Sequence, residues 1–261
     1  MAKNRLYTTD AAVLRQIPIG EADRILTLFT AVQGKIRVVA RGVRRPKSRI
    51  AGHLEPLTYC RLMIARGRTM DTISDADTLA NYPKLRGSLE GIAVGTVCVE
   101  LVNAFTPDEE PNLSLLNLLT DCFSWINEGE RSLALHYFEF ELLRQVGFMP
   151  ELQDCVSCSK PIEPNNHGFS HRFGGTICND CSRPELRSPT NNQNPGPTFP
   201  LSLNTLKILR FFQSHTFKEV RSLNVNKFLS EEINRLLQDY ITYLLERRLK
   251  STTFLETLPK L

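Results

Sequence analysis

The sequence predicts an α+β protein in which a small amino-terminal β-barrel is followed by an α-helical domain with an inserted cysteine-rich hairpin. Three observations predict this architecture. Apolar residues alternate with polar ones in the first eighty residues, a helical period begins after Pro83, and two Cys-x-x-Cys pairs interrupt the helical part. We therefore divide the chain into residues 1–80, 81–154, 155–182 and 183–261.

The first segment has the alternation expected of half-buried strands. Ile36, Val38 and Ala40 alternate with more polar neighbours, and a second run alternates in the same way around Leu62. Glycine and proline residues separate the runs, as in a barrel of short strands. The predicted strands are Val13 to Ile17, Arg24 to Thr30, Lys35 to Arg41, Thr58 to Ala65 and Met70 to Ser74. Five short strands in eighty residues favour an OB-fold.

Beyond Pro83 the apolar residues recur at the spacing of helices that bury one face. Three such stripes precede the cysteines: Leu85, Leu89, Ile92, Ala93 and Val97; Leu115, Leu116, Leu119, Cys122, Phe123 and Ile126; and Leu135, Phe138, Leu142, Leu143 and Val146. Prolines and asparagines predict a loop from Arg183 to Pro200. Helix resumes at Ser202. The last helix is expected to begin at an N-cap, Ser230, and to carry Arg247-Arg248 in its last turn.

The two Cys-x-x-Cys pairs predict a metal site. Cys155 and Cys158 are followed, after nineteen residues, by Cys178 and Cys181. Four thiolates on two turns can close tetrahedrally around one Zn²⁺ and leave no position for water or substrate. The predicted ion is therefore structural. Two redox-active dithiols, or two pairs that occur by chance, are the alternative interpretations.

The residues between the two pairs predict a zinc-finger hairpin inserted in the helical domain. Gly174-Gly175 is the expected turn between two short strands. His167 and His171 also lie between the pairs, but we interpret them as loop residues because four thiols are already available as ligands.

A basic window predicts the binding surface. Residues 1–80 hold fourteen Lys and Arg against seven Asp and Glu, whereas residues 81–154 hold four against twelve. Such segregation is typical of a polyanion-binding end joined to an acidic segment. No acid occurs between Arg24 and Leu54, and guanidinium groups at a strand end suit phosphate oxygens. The predicted nucleic-acid-binding residues are Arg24, Lys35, Arg37, Arg41, Arg44, Arg45, Lys47 and Arg49. A solvated surface, or a loop that meets an acidic protein, is the alternative.

The motifs of common enzymes are missing from the sequence. There is no Gly-x-x-x-x-Gly-Lys-Ser/Thr, no His-Glu-x-x-His and no Gly-x-Ser-x-Gly, and no His-x-Glu precedes a cysteine pair as in zinc deaminases. We therefore predict a protein that is not an enzyme. No apolar run approaches the roughly 18 residues of a membrane span, and no secretory signal follows Met1, so a cytoplasmic protein without membrane contact is expected.

Three stretches resemble the bacterial recombination mediator family RecO. Similarity to its amino-terminal OB domain lies in Gly20 to Thr30 and in Ala40-Arg-Gly-Val-Arg-Arg-Pro-Lys-Ser-Arg-Ile-Ala-Gly-His-Leu-Glu-Pro56. Similarity to its zinc-finger region lies in Phe169-Ser-His-Arg-Phe-Gly-Gly-Thr-Ile-Cys178 followed by Cys181. Some members lack the cysteines, but this chain keeps all four.

The resemblance implies a DNA-repair and recombination mediator that acts without catalysis. Such proteins bind single- and double-stranded DNA, anneal complementary strands, and cooperate with RecR and sometimes RecF. Together they load RecA onto DNA coated by single-strand-binding protein, whose acidic C-terminal tail they contact. The implied location is the cytoplasm, at the nucleoid during repair.

A further hypothesis concerns the binding site for a protein partner. A basic, apolar groove of the C-terminal helices would hold the tail of single-strand-binding protein, with charge from Lys207, Arg210, Lys218 and Arg221. Two other classes of function stay open. One is an RNA-binding or ribosome-associated module, since an OB barrel and a zinc ribbon also suit RNA. The other is an adaptor that binds only proteins.

Overall fold

The computed structural model describes residues 5–163, 167–182 and 197–258. The chain forms two compact units. The first unit contains the residues up to Arg131 together with those from Leu249 onward, and the second contains Ser132–Arg248. Each unit has its own buried apolar residues.

The first unit begins with the predicted barrel, so the predicted α+β fold class is confirmed. Its strands are β1 (Leu6–Ile19), β2 (Asp23–Thr30), β3 (Gly34–Ala40), β4 (Tyr59–Ala65) and β5 (Asp71–Ala80). They pair in the order β1-β2-β3-β5-β4, and β1 also pairs with β4, which closes the barrel. The link between β3 and β5 is parallel and joins only Val38 to Asp71 and Val39 to Thr72. The predicted alternation is confirmed, because Ile36, Val38 and Ala40 are buried in the core.

The first and last strands are longer than predicted. β1 contains four consecutive buried residues, from Ala11 to Leu14, and its pairing with β2 shifts register between Val13 and Arg15. A bulge of this kind adds a residue to one strand and interrupts the period of two. The pattern therefore indicated only the part of β1 near Val13.

Helices α1 (Pro83–Arg86), α2 (Leu89–Phe105), α3 (Leu113–Glu128) and α9 (Lys250–Thr257) belong to the same unit. The stripe predicted for α3 is confirmed. The prediction that Leu89 and Ile92 face the core is wrong, since both are exposed. The reason is a break at Gly87: Ser88 caps a new helix by accepting from the Gly91 amide, so positions before and after the break do not share one helical phase.

The second unit combines helices with a small antiparallel sheet. Its main helices are α4 (Arg131–Gln145), α6 (Leu203–Ser214), α7 (Phe217–Val220) and α8 (Lys227–Leu245). Strands β6 (His167–Ser170), β7 (Gly175–Cys178) and β8 (Thr198–Pro200) form a sheet in the order β7-β6-β8, and the short helix α5 (Asn179–Ser182) follows β7. The predicted loop Arg183 to Pro200 is wrong at its end, where β8 pairs with β6; residues 183–196 lie outside the described residues.

The last predicted helix corresponds to α8, but both of its ends lie earlier in the chain than predicted, and a further helix, α9, follows it. Asn226, not Ser230, caps α8 by accepting from the Leu229 amide. The hydroxyl of Ser230 instead lies 3.0 Å from Nε2 of the buried His136. α8 ends at Leu245, because its C-cap, Glu246, has a left-handed φ of 55°; Arg247-Arg248 therefore lie beyond the helix. Among the described residues, no helix has the length and apolar character that a membrane crossing requires.

Candidate metal centre and nucleic-acid interface

The four cysteines converge at one point in the second unit. Cys155 and Cys158 lie in a turn in which the Cys155 amide donates to the Lys160 carbonyl, while Cys178 ends β7 and Cys181 lies in α5. All four Sγ atoms are within 4.8 Å of one another, and those of Cys158 and Cys178 are 3.8 Å apart. Four sulfurs at about 2.3 Å from a zinc ion would be separated by about 3.8 Å, the edge of the tetrahedron. The cluster can therefore hold a metal ion.

The electrostatics of the cluster also favour a cation. Burial opposes ionisation of Cys155, but the backbone amides of Cys178, Ser157 and Cys158 outweigh it and lower the thiol pKa to about 7. Burial and the neighbouring cysteines raise the pKa of Cys178 to about 12, and burial raises the pKa of Cys181. The protein surroundings thus favour the thiolate at Cys155 and disfavour it at Cys178 and Cys181. A bound cation is what allows several neighbouring thiols to ionise together.

The two histidines between the pairs are not part of this cluster. His167 is the first residue of β6, so the interpretation of it as a loop residue is wrong. His171 lies in the turn after β6, and its buried ring stacks on Phe199 with the ring centroids 4.3 Å apart. The His171 ring therefore contributes an aromatic contact to the packing of this unit.

The basic loop of the first unit, residues 41–49, is held by its backbone. Gly42 has a φ of +64°, and its amide donates to the Asp23 carboxylate at 2.7 Å. The Arg44 amide donates to the Ala22 carbonyl, so the loop packs on the turn between β1 and β2, and Val43 is buried beneath it. The exposed side chains of this loop are Arg41, Arg44, Arg45, Lys47 and Arg49. The structure therefore presents these five cations together on an ordered loop.

Three of the predicted binding residues have side-chain partners inside the unit. Arg44 remains exposed although its guanidinium donates to the Gly20 carbonyl at 3.1 Å, whereas Arg24 and Lys35 are held by several bonds. Arg24 donates to the Glu55 carboxylate at 3.1 Å and to the Gln16 side chain at 2.7 Å. The Lys35 ammonium donates to the carbonyls of Asn103 (2.9 Å) and Thr106 (2.5 Å) and lies 3.3 Å from Asp108. The Lys35 side chain is only 12% exposed. A phosphate contact at either residue would have to replace these bonds.

Arg37 is exposed on the outer face of the barrel, two residues after Lys35. Arg15 is another exposed arginine on this face, and the sequence pattern did not indicate it. Arg15 pairs with Thr27, and Thr27 pairs with Arg37, so the three residues lie in a row across β1, β2 and β3. The bulge in β1 concealed the alternation that would have placed Arg15 on this face.

The cations proposed for a partner in the second unit differ in exposure. Lys207, Lys218 and Arg221 are exposed. Arg210 is half-buried, and its guanidinium donates twice to the Leu152 carbonyl, at 2.9 and 2.7 Å. Arg210 is therefore engaged in holding the segment that leads to Cys155.

Comparisons with known proteins agree along the whole chain. The family model "Recombination protein O N terminal" matches residues 1–82, and "Recombination protein O C terminal" matches residues 86–253. A protein of Dehalococcoides mccartyi, named DNA repair protein RecO, is 33% identical over 259 residues, which cover 99% of this chain and 98% of the relative. A protein of Pelotomaculum thermopropionicum with the same name is 35% identical over 254 residues, covering 97% and 94%.

The different surroundings of Lys35 and Arg37 predict different effects on stability. Lys35→Met removes the ammonium and leaves two carbonyl groups without their donor, which should lower the free energy of unfolding by about 1–3 kcal/mol. Arg37→Met, on the same strand and the same face, is the control and should change stability by less than about 0.5 kcal/mol. Urea denaturation of both variants measures this difference. Equal stability of the two would contradict the contacts described for Lys35.

Proposed function

This chain belongs to the recombination protein O (RecO) family of DNA repair proteins, and we propose that it acts as a recombination mediator that binds DNA directly. It binds single and double strands, anneals complementary strands and, with RecR and in some settings RecF, helps to load RecA onto DNA coated by single-strand-binding protein. The observation that carries the proposal is the cluster of five exposed cations on the ordered loop 41–49.

The proposed annealing follows from screening of charge. Two DNA strands repel each other through their phosphates, and each phosphate that a Lys or Arg neutralises releases a condensed counterion. A surface of exposed cations therefore lowers the barrier to bringing two strands together. Pairing of the bases then supplies the driving force. Such a mechanism requires no nucleotide hydrolysis and no catalytic residue.

Charge reversal in the loop tests this function. The triple variant Arg44→Glu/Arg45→Glu/Lys47→Glu should bind a labelled single-stranded oligonucleotide roughly 100-fold more weakly at low salt, and the magnitude of its salt slope should fall by about 2. The same variant should lose most annealing activity. Fluorescence anisotropy measures the affinity, and an annealing assay with complementary oligonucleotides measures the activity.

A second triple variant controls for total charge. Arg5→Glu/Arg68→Glu/Lys84→Glu makes the same change in net charge at exposed positions of the same unit. It should keep affinity within about threefold. Equal loss of DNA affinity in both triple variants would argue against a specific site.

Binding by the wild type separates the alternative functions. Tighter binding to an RNA oligonucleotide of matched sequence would favour the RNA-binding alternative. No salt-sensitive binding to either nucleic acid would favour the protein-only adaptor.

We propose that the metal ion is one structural Zn²⁺, held by Cys155, Cys158, Cys178 and Cys181. The sulfur-only ligand set and the spacing of the Sγ atoms support this ion. Four protein ligands leave no site for water, so the zinc stabilises the second unit and supplies no chemical step. Thiolate ligation requires reduced cysteines, which supports the cytoplasm, at the nucleoid during repair, as the proposed location.

Removal of one ligand tests the metal proposal. The wild type should contain one zinc per chain, and Cys158→Ser should lower this content and destabilise the second unit, because metal binding is coupled to folding. Cys98→Ala, which removes a buried thiol of the first unit, is the control and should retain one zinc. Elemental analysis and thermal denaturation with and without chelator provide the two measurements. A wild type that folds fully without metal would contradict a structural role.

We propose that the acidic tail of single-strand-binding protein binds the second unit near Lys207, Lys218 and Arg221. Their exposure supports this position. Arg210 is retained from the sequence prediction only in a supporting role, since it holds Leu152. Lys207→Ala/Lys218→Ala should weaken binding of a labelled tail peptide about tenfold, measured by anisotropy, while Lys227→Ala/Arg235→Ala should not. Unchanged peptide affinity in the first pair would exclude this surface.

A further inference from the structure

On the outer face of β1, β2 and β3, the end that contains Lys35 is covered by α2, and the opposite end is open. Ala12, Phe29 and Lys35 are directly opposite one another on these strands, and this row is buried: Ala12 and Phe29 have no exposed surface, and the Lys35 ammonium meets α2. From the next outward row the side chains are exposed or half-buried.

Two rows of side chains make up the open part. Arg15, Thr27 and Arg37 form the first row, because Arg15 pairs with Thr27 and Thr27 with Arg37. Ile17, Ile25 and Val39 form the second row in the same way. Residues opposite one another on paired strands project from the same face. We call these six residues the arginine–isoleucine face.

The spacing of this face follows from sheet geometry. Neighbouring strands are about 4.8 Å apart, so the Cα atoms of Arg15 and Arg37 are about 10 Å apart, and the two rows are separated by about 7 Å. Beyond the aliphatic row, Ile19 and Asp23 pair at the strand ends, and Arg41 begins the basic loop. The aliphatic row therefore lies between two arginines on one side and the loop cations on the other.

The charged side chains that border the row are mostly positive, with two acids, Asp23 and the exposed Glu21 of the β1–β2 turn, at its far end. Among the residues of strands β1 to β3 that lie on the open part of this face, Asp23 carries the one carboxylate. That carboxylate already accepts a hydrogen bond from the Gly42 amide at 2.7 Å. Ile17 is 42% exposed. An aliphatic strip bordered by arginines on both sides complements a ligand that carries several negative charges and has apolar groups between them. An acidic protein segment would fit only if it placed apolar side chains opposite Ile17, Ile25 and Val39.

We propose that the arginine–isoleucine face is the part of the DNA contact that distinguishes single strands from duplex. Arg15 and Arg37 bind phosphates, and Ile17, Ile25 and Val39 contact the bases and sugars of the same strand. In a single strand the apolar base faces are accessible, whereas in duplex they are stacked and only phosphates and groove edges are presented. The arginines thus contribute to binding of both single-stranded and duplex DNA, whereas the aliphatic row contributes to binding of single strands alone. This inference depends on the DNA binding proposed above.

Two single substitutions separate these contributions. Arg15→Ala should weaken binding to both forms about fivefold at roughly 50 mM salt and reduce the magnitude of the single-strand salt slope by about 0.7. Ile17→Ser should weaken single-strand binding about fivefold and duplex binding by less than about twofold, with the salt slope unchanged. Anisotropy titrations with a single-stranded oligonucleotide and the matching duplex provide both affinities.

Matched controls come from elsewhere on the barrel. Arg68→Ala removes an exposed arginine between β4 and β5, and Met63→Ser removes an apolar side chain that is 41% exposed on β4, close to the value for Ile17. Neither should change either affinity by more than about twofold. Melting temperatures of all four variants establish that each is folded.

The outcomes separate this inference from the proposed function. If the wild type does not bind DNA, the proposed function fails. If it binds, and the loop variant loses binding while Arg15→Ala and Ile17→Ser behave like the controls, only the inference is overturned. It is also overturned if Ile17→Ser weakens both forms equally, or if it impairs annealing only of strands coated by single-strand-binding protein, since the occupant would then be a protein.

Discussion

The contact between Lys35 and the end of α2 decides which cations of the barrel are available to a ligand. The Lys35 ammonium binds two carbonyl groups at that helix end, and a Cβ at Gly34 would collide with the backbone of Glu110, so only glycine permits this close approach. The acidic residues near Asp108 thereby cover the beginning of β3. Arg37, two residues further, is exposed. Because α2 and the loop that follows it cover Lys35, this residue has a structural role, whereas the exposed Arg37 can contact a ligand.

Alternation in the sequence predicted the core residues of β3 and β4 well, because every second residue there is apolar and buried: Ile36, Val38 and Ala40 in β3, and Cys60, Leu62 and Ile64 in β4. It did not predict Arg15, since the bulge after Val13 shifts the side chains that follow by one position. It also did not separate Lys35 from Arg37, which have the same period and charge. Their difference depends on contacts with residues about seventy positions away, and local patterns carry no information on such contacts.

The helix ends were predicted less well than the cysteine site for a related reason. The cysteine ligands come in two local turns, so their spacing alone predicted that they would converge. By contrast, α9 begins where the Glu100 carboxylate accepts the amides of Lys250 and Ser251, a cap supplied from 150 residues away. The sequence near Arg247 contains no sign of this distant acceptor. The prediction therefore continued the preceding helix through the point where the chain turns.

A mediator must release the DNA that it has helped to pair, and the energetics of the exposed loop suit that requirement. Arg41, Arg45 and Lys47 are exposed to water, so a phosphate contact gains the modest, salt-sensitive free energy of counterion release without breaking an internal bond. Arg24 and Lys35 would first have to leave Glu55 and the α2 carbonyls. Many weak contacts can be exchanged one at a time between strands, whereas a few buried charge pairs would hold one strand and slow its transfer. The proposed function therefore requires cations that the fold leaves without buried partners.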